Sequence, residues 1–396
     1  MITFFLLRGK LLCFVNNIST AGKHNMYVGY RLVAGRTFIF TLCIGIVFGF
    51  TFAYIVLNSS GDIRRFVLFP AGFGNSHISD RHSHLDQDVD GGNVDGSVGA
   101  HSNDEEFHKD EDIVAKELSS RVRVLCWVMT SPTNHDKKAR HVKATWGSRC
   151  NILLFMSTES DAKLPSVALP VKEGRDNLWA KTKEAFKHVY LNYLDQADWF
   201  MKADDDTYVI VENLRYMLAD YNTSDPIYFG CRFKAYVKQG YMSGGAGYVL
   251  SKEALRRFVV EGIPDHTKCR QDNGGSEDVE IGKCLEKIGV LAMDSRDSLG
   301  RGRFFPFVPE HHLIPGHSDP NFWYWRWIYY PSPEGMECCS DSAISFHYVP
   351  PNMMYVMDYL IYHLRPYGIN HMVHHQHSGY KERTNPTTTT TQYPGK

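Results

Sequence analysis

The segment Trp199–Val209 (WFMKADDDTYV) ends a run of bulky side chains with three adjacent carboxylates. The run reads as a strand buried on both faces, and three acids at its end cannot lie in an apolar core without a counter-charge. A cation is therefore expected there. Residues two apart on an extended chain share a side, so Asp204 and Asp206 are expected to face one site and Asp205 the opposite way. Carboxylate oxygens suit hard cations such as Mn²⁺ or Mg²⁺, which commonly sit between a protein carboxylate and a substrate's phosphates. A solvated acidic turn after a strand would carry the same three letters, so the rest of the chain has to decide.

With 396 residues, 43% of them hydrophobic, the chain has room for one large or two ordinary domains. Its net charge of −1 provides no overall positive field for a nucleic-acid partner. Thr37–Leu57 is free of charge and long enough to span a bilayer as a helix. The segment before it holds Arg8, Lys10, Lys23, Arg31 and Arg36 and no acid, which places residues 1–36 in the cytosol as the tail of a single-pass type II membrane protein. A cleaved signal peptide fits less well, because the apolar run is long and starts late. The remainder is then luminal. An oxidising lumen favours pairing of Cys126, Cys150, Cys231, Cys269, Cys284, Cys338 and Cys339, with one left over. Adjacent Cys338 and Cys339 would be strained as a pair, so each is expected to reach a distant partner. Asn222-Thr223-Ser224 is a glycosylation acceptor triplet, and Ile2–Val15 is an apolar patch for which the sequence suggests no purpose.

Residues 58–118 are rich in Gly, Ser, His and Asp and read as a disordered stem, and residues 371–396 as a disordered tail. Between them, 119–370 forms the folded unit. It opens with a strand over 122–129, a basic helix over 134–146, a second strand over 151–157 and an amphipathic helix over 177–194. The acidic strand comes third, then a helix over 211–221. Strands alternating with helices imply parallel pairing in a doubly wound α/β sheet, with the ligand at the carboxyl ends of the strands. Four glycines between Gly240 and Gly247 allow close backbone approach to a ligand, or simply a tight turn. Glu277 and Asp278 open a helix with Ile281, Leu285 and Ile288 on its apolar stripe; acids in a first turn also serve the helix dipole. Phe322–Tyr330 is dense in aromatic rings, which build cores and also platforms for sugar faces and bases.

In order, Trp146-Gly147, Lys202–Tyr208, Ser243–Tyr248, Glu277-Asp278-Val279 and Ser345–Tyr348, behind an anchor and a stem, resemble the β-1,3-glycosyltransferases of the Fringe and core 1 type. The core 1 branch is the nearer, on Val142–Gly147, Pro309–Leu313, Glu337–Asp341 and Tyr362–Gly368. The resemblance covers about residues 121–368 and implies a GT-A glycosyltransferase fold in the Golgi. It implies inverting transfer of galactose from UDP-galactose to O-linked GalNAc-Ser/Thr of a glycoprotein, by a homodimer. It also implies roles for residues: Asp204, Asp206 and His347 as metal ligands, the imidazole tilting the choice toward Mn²⁺. Asp278 is then the catalytic base, with Glu277 beside it. Met129, Arg140, Arg175, Asp176, Trp179, Asp204, Asp205 and Trp325 lie where the family meets the nucleotide. A non-catalytic luminal chaperone relative is the competing class, disfavoured by the whole acidic triplet and the Glu277-Asp278 pair; a different sugar or acceptor also stays open.

Overall fold

The computed structural model describes residues 2–7, 10–15, 108 and 110–369, the first two stretches by backbone alone. In the N-terminal unit, residues 1–81, Ile2–Leu7 (β1) and Lys10–Val15 (β2) form an antiparallel hairpin. The expected membrane span and tail 371–396, and nearly all of the expected stem, lie outside the described residues. Among those described, no helix is long and apolar enough to cross a membrane.

The second unit begins, within the described residues, with helix α1 (Ile113–Arg121), so residues 113–118 are helical where a structureless stem was expected. A seven-stranded sheet forms its centre: β3 (Val124–Met129), β4 (Ile152–Ser157), β5 (Ser166–Ala168), β6 (Trp199–Asp204), β8 (Ile227–Gly230), β11 (Tyr248–Ser251) and β12 (Leu291–Ala292), in the order β12-β8-β11-β6-β3-β4-β5. The strands β6, β3, β4 and β5 are parallel, as expected. The wholly parallel sheet is corrected at β11, which runs antiparallel to both β6 and β8. Between β8 and β11 the chain spends residues 231–247 on the small β9–β10 pair and has no helix there to carry it back for a parallel neighbour. Small strands complete the fold: β7 (Tyr208–Val209) with β13 (Phe304–Phe305) and β14 (Ser345–Phe346), and β9 (Arg232–Phe233) with β10 (Tyr241–Met242).

Alternation along the strands divides the core in two. Val124, Cys126 and Val128 of β3 and Trp199, Met201 and Ala203 of β6 point to one face. Leu125, Trp127, Met129 and Phe200 point to the other, against α3 (Leu178–Tyr193) and α6 (Glu277–Lys287); α2 (Arg140–Ala144) precedes α3 in the chain, and α4 (Val211–Leu218) and α5 (Lys252–Arg257) lie between α3 and α6. The chain leaves β3 toward β4 and returns to β6 on its other side, which makes the carboxyl ends of β3 and β6 a topological switch point.

Two further expectations are corrected. The single basic helix over 134–146 is a 3₁₀ turn, a π turn over His135–Ala139, the short α2 and another 3₁₀ turn. Its side chains explain the break: Asn134 donates to Asp205 (2.9 Å) and the His135 ring meets Ser157 (2.8 Å), and a regular spiral would aim them elsewhere. Cys338 and Cys339 pair with each other, beside Cys126–Cys150 and Cys269–Cys284, leaving Cys231 as the odd, buried thiol. Adjacent thiols never separate, and of the other described cysteines four are paired with one another and Cys231 is buried, so local proximity outweighs the cost of a tight ring.

Candidate metal centre and base

Asp204 closes β6, in register with Met129 of β3, and the chain turns immediately: the Thr207 N–H donates to the Asp204 carbonyl at 3.1 Å, and Thr207 Oγ1 donates to the Gly245 carbonyl at 2.7 Å. That turn keeps Asp204 and Asp206 on one side. Asp205 faces away, buried, accepting from Thr130 Oγ1 (2.8 Å) and Asn134 Nδ2 (2.9 Å). Expected at the nucleotide, its side chain here ties the acidic turn to the loop after β3. Burial, with the Asp206 charge beside it, pushes the Asp205 carboxyl up.

His347 completes the group. Its Nε2 lies 3.2 Å from Asp206 Oδ1 and 3.9 Å from Asp204 Oδ2. Nδ1–H donates to the Pro306 carbonyl at 3.3 Å, so in the neutral ring Nε2 offers its lone pair toward the acids. One ligand atom from each of Asp204, Asp206 and His347 falls within 4.8 Å of the others, the only such cluster of three among the described residues. Two carboxylates and a correctly turned imidazole fit a divalent cation. Burial alone would push Asp206 up, but the contacts from His347 and Lys138 hold it well below the ordinary carboxylate range.

The backbone is shaped around this ring. A Cβ on Gly245 would run into the His347 imidazole, so only glycine lets the strand-to-strand turn pass there. Tyr348 adopts a left-handed φ of 58°, a conformation that costs a bulky residue about 1–3 kcal/mol. It is fixed on both sides: the Val349 N–H donates to the Asp206 carbonyl (2.9 Å), and the Tyr348 ring lies 3.9 Å, centroid to centroid, from His347.

Asp278 is the second residue of α6. It is half-buried; Oδ1 accepts from the Val279 N–H at 2.8 Å and Oδ2 from the Gly244 N–H at 3.4 Å. These amides favour its charged form, yet burial and the Glu277 charge outweigh them and push it up to about 6. Glu277 is 7% exposed and hydrogen-bonded inside the fold. Lys202, wholly buried, donates to Asp204 Oδ1 (2.6 Å) and the Gly244 carbonyl (3.0 Å). Burial drives its ammonium down, and Asp204 with Glu277 more than offsets this, holding it above the ordinary lysine value.

The other expected residues are less united. Met129 borders Asp204. Arg140 is half-buried at the start of α2, with Nε donating to His141 Nε2 at 3.3 Å. Arg175 and Asp176 are exposed on the turn into α3. Trp179 has no exposed surface and its indole N–H donates to the Arg270 carbonyl at 2.9 Å, so its ring belongs to the core and offers no face to a base. Trp325, in α8 (Trp323–Trp327, after α7, Pro309–Leu313), packs on Tyr324 at 4.9 Å; Tyr324 meets Phe307, and Phe307 stacks on Tyr348. It stands at the far end of an aromatic block that starts at His347. Lys202, Tyr248 and Thr182 had no assigned role in the sequence; a lysine two residues before the acids, inside a buried strand, was the available signal.

The chain matches the Fringe-like family over residues 120–298. It is 54% identical over 267 residues to the Xenopus laevis glycoprotein-N-acetylgalactosamine 3-beta-galactosyltransferase 1, covering 66% of this chain and 72% of that protein. To the Mus musculus beta-1,3-glucosyltransferase it is 30% identical over 168 residues, 41% of this chain and only 33% of that one. An active-site mutant of LgtC, a solved structure, overlaps 57% of this chain and 86% of its own, with a TM-score of 0.34 and 16% identity.

Proposed function

We propose that this chain, which belongs to the glycoprotein-N-acetylgalactosamine 3-beta-galactosyltransferase family and carries its Fringe-like region at residues 120–298, transfers galactose from UDP-galactose to oxygen 3 of a GalNAc linked to Ser or Thr of a glycoprotein. The observation that supports this best is the convergence of Asp204, Asp206 and His347 at the carboxyl end of the sheet, with Asp278 on a neighbouring helix start. The acceptor oxygen bonds to the anomeric carbon of galactose while the bond from that carbon to UDP breaks and its electron pair leaves with UDP. One displacement converts the α linkage to β. Asp278 accepts the hydroxyl proton. Asp204, Asp206 and His347 would hold the metal, for which an imidazole beside two carboxylates suits Mn²⁺ better than Mg²⁺. When bound, that ion supplies positive charge against the leaving diphosphate.

In the same reading the architecture is of the GT-A kind, the catalytic unit lies in the Golgi lumen behind an anchor at 37–57, and two copies act as a homodimer. Three disulfides accord with an oxidising compartment. The test is to incubate metal-stripped protein with a panel of UDP-sugars and O-GalNAc peptides, then add Mn²⁺ or Mg²⁺. Galactose transfer that returns with Mn²⁺ is expected; undiminished transfer after exhaustive chelation, or a preference for another sugar, overturns it.

A further inference from the structure

Glu277 and Asp278 are adjacent in sequence and differ in surroundings. Glu277 Oε1 accepts from the Tyr248 hydroxyl at 2.6 Å and from Thr182 Oγ1 at 3.0 Å, while Oε2 lies 4.0 Å from Lys202 Nζ. A Cβ on Gly244 would come within 2.7 Å of Oε2, so the glycine backbone closes that side. A carboxylate this enclosed persists because two hydroxyl donors and one ammonium charge from three elements surround it: Thr182 on α3 and Tyr248 on β11 donate, and Lys202 on β6 stands at ion-pair distance. Tyr248 and Lys202 are directly opposed across the antiparallel ladder, so the sheet's register delivers both to the same acid.

Lys202 extends this group in two directions. Its ammonium contacts Asp204 Oδ1 at 2.6 Å on one side and Glu277 at 4.0 Å on the other. It also donates to the Gly244 carbonyl, and the same residue's N–H lies 3.4 Å from Asp278 Oδ2. Two short chains of contacts thus run from Asp204 through Lys202 to Asp278, one by way of Glu277 and the adjoining backbone, one by way of Gly244.

We propose that Thr182, Tyr248 and Lys202 are positioning residues that act through Glu277 to fix the first turn of α6, and with it the place of Asp278 relative to Asp204, Asp206 and His347. Glu277 on this account is a structural anchor and does not touch the acceptor. The proposal rests on the reading of Asp278 as the proton acceptor.

The test compares full-length Thr182→Val, Thr182→Ser and Tyr248→Phe with the unaltered chain. Val keeps the shape of Thr and removes the hydroxyl, and Ser keeps the hydroxyl. Thr182→Val and Tyr248→Phe are expected to lower kcat about 10- to 100-fold, the scale of a slightly misplaced reacting group, with KM for UDP-galactose within about two-fold. Thr182→Ser is expected to retain kcat, and the amides of Val279 and Glu280 to exchange faster in the two impaired variants only. Wild-type kcat in Thr182→Val or Tyr248→Phe, with only a lowered melting temperature, overturns the proposal and leaves the cluster as plain core. Should one variant fail to fold, the other decides. If the unaltered chain transfers no galactose, the functional reading falls, and unchanged amide exchange at Val279 and Glu280 separately refutes the positioning role.

Discussion

Asp278→Asn keeps the size of the proposed base and removes its basicity, so turnover is expected to fall about 10²-fold or more while UDP binding persists. The pH dependence has a definite sign. With Asp278 pushed up to about 6, the carboxylate form is present above that pH, so kcat should fall as pH drops through 6 and level off above it. A kcat–pH profile of the Asn variant that keeps this acid limb would assign it to another group. The start of a helix favours a charged acid and the amides do pull that way; what a sequence does not carry is how much protein covers the residue, and that cover raises the carboxyl while leaving it charged at neutral pH. The acids themselves were legible. A period of two separates Asp204 and Asp206 from Asp205, and the contacts of Asp205 with Thr130 and Asn134 bear this out. Gly245→Ala is expected to displace the His347 ring and weaken Mn²⁺ binding by calorimetry at least tenfold, roughly the lower end for disturbed ligand orientation, with a small change in melting temperature. Unchanged affinity would remove His347 from the ligand set.

At the scale of elements, α3 and α6 were readable because their apolar stripes keep a 3.6-residue period over several turns. The segment after β3 was not, since its helical composition hides side chains bent toward the acidic turn. The loop entering α6 is another feature without a sequence signal. Lys183 of α3 is buried and donates to the carbonyls of Arg270, Gln271 and Asp272 at 3.2, 2.7 and 3.2 Å. Lys183 also lines, with Ala180 and Glu184 of α3 and Gln271 and Asn273 of the loop, a cleft of about 740 Å³ between the two. Lys183→Met should cost about 1–3 kcal/mol through the carbonyls left unmet, seen as a lower melting temperature and faster amide exchange in the 270–276 loop. A melting temperature equal to the parent's would show that water replaces the ammonium without penalty.

For the whole molecule, the parallel half of the sheet followed from alternating strands and helices, and the antiparallel β11 did not, because strand direction depends on what the intervening chain does in space. Cysteine arithmetic foresaw one unpaired thiol and misjudged the partners of Cys338. Alkylation of denatured, unreduced protein is expected to label Cys231 alone among the cysteines of residues 110–369; several labels there would contradict the pairing. The β11–β6 ladder has a further effect. Tyr248 meets Lys202 only because the number of residues between β10 and β11 is what it is. Removing or adding one residue between Ser243 and Gly247 either slides Tyr248 past Lys202 or turns it to the opposite face, since side chains alternate at every step. The segment is thus held at both levels: its length sets the Tyr248–Lys202 pairing, and added Cβ atoms at Gly244 and Gly245 would meet Glu277 and His347, so five small residues with no charge among them are constrained in number and in kind.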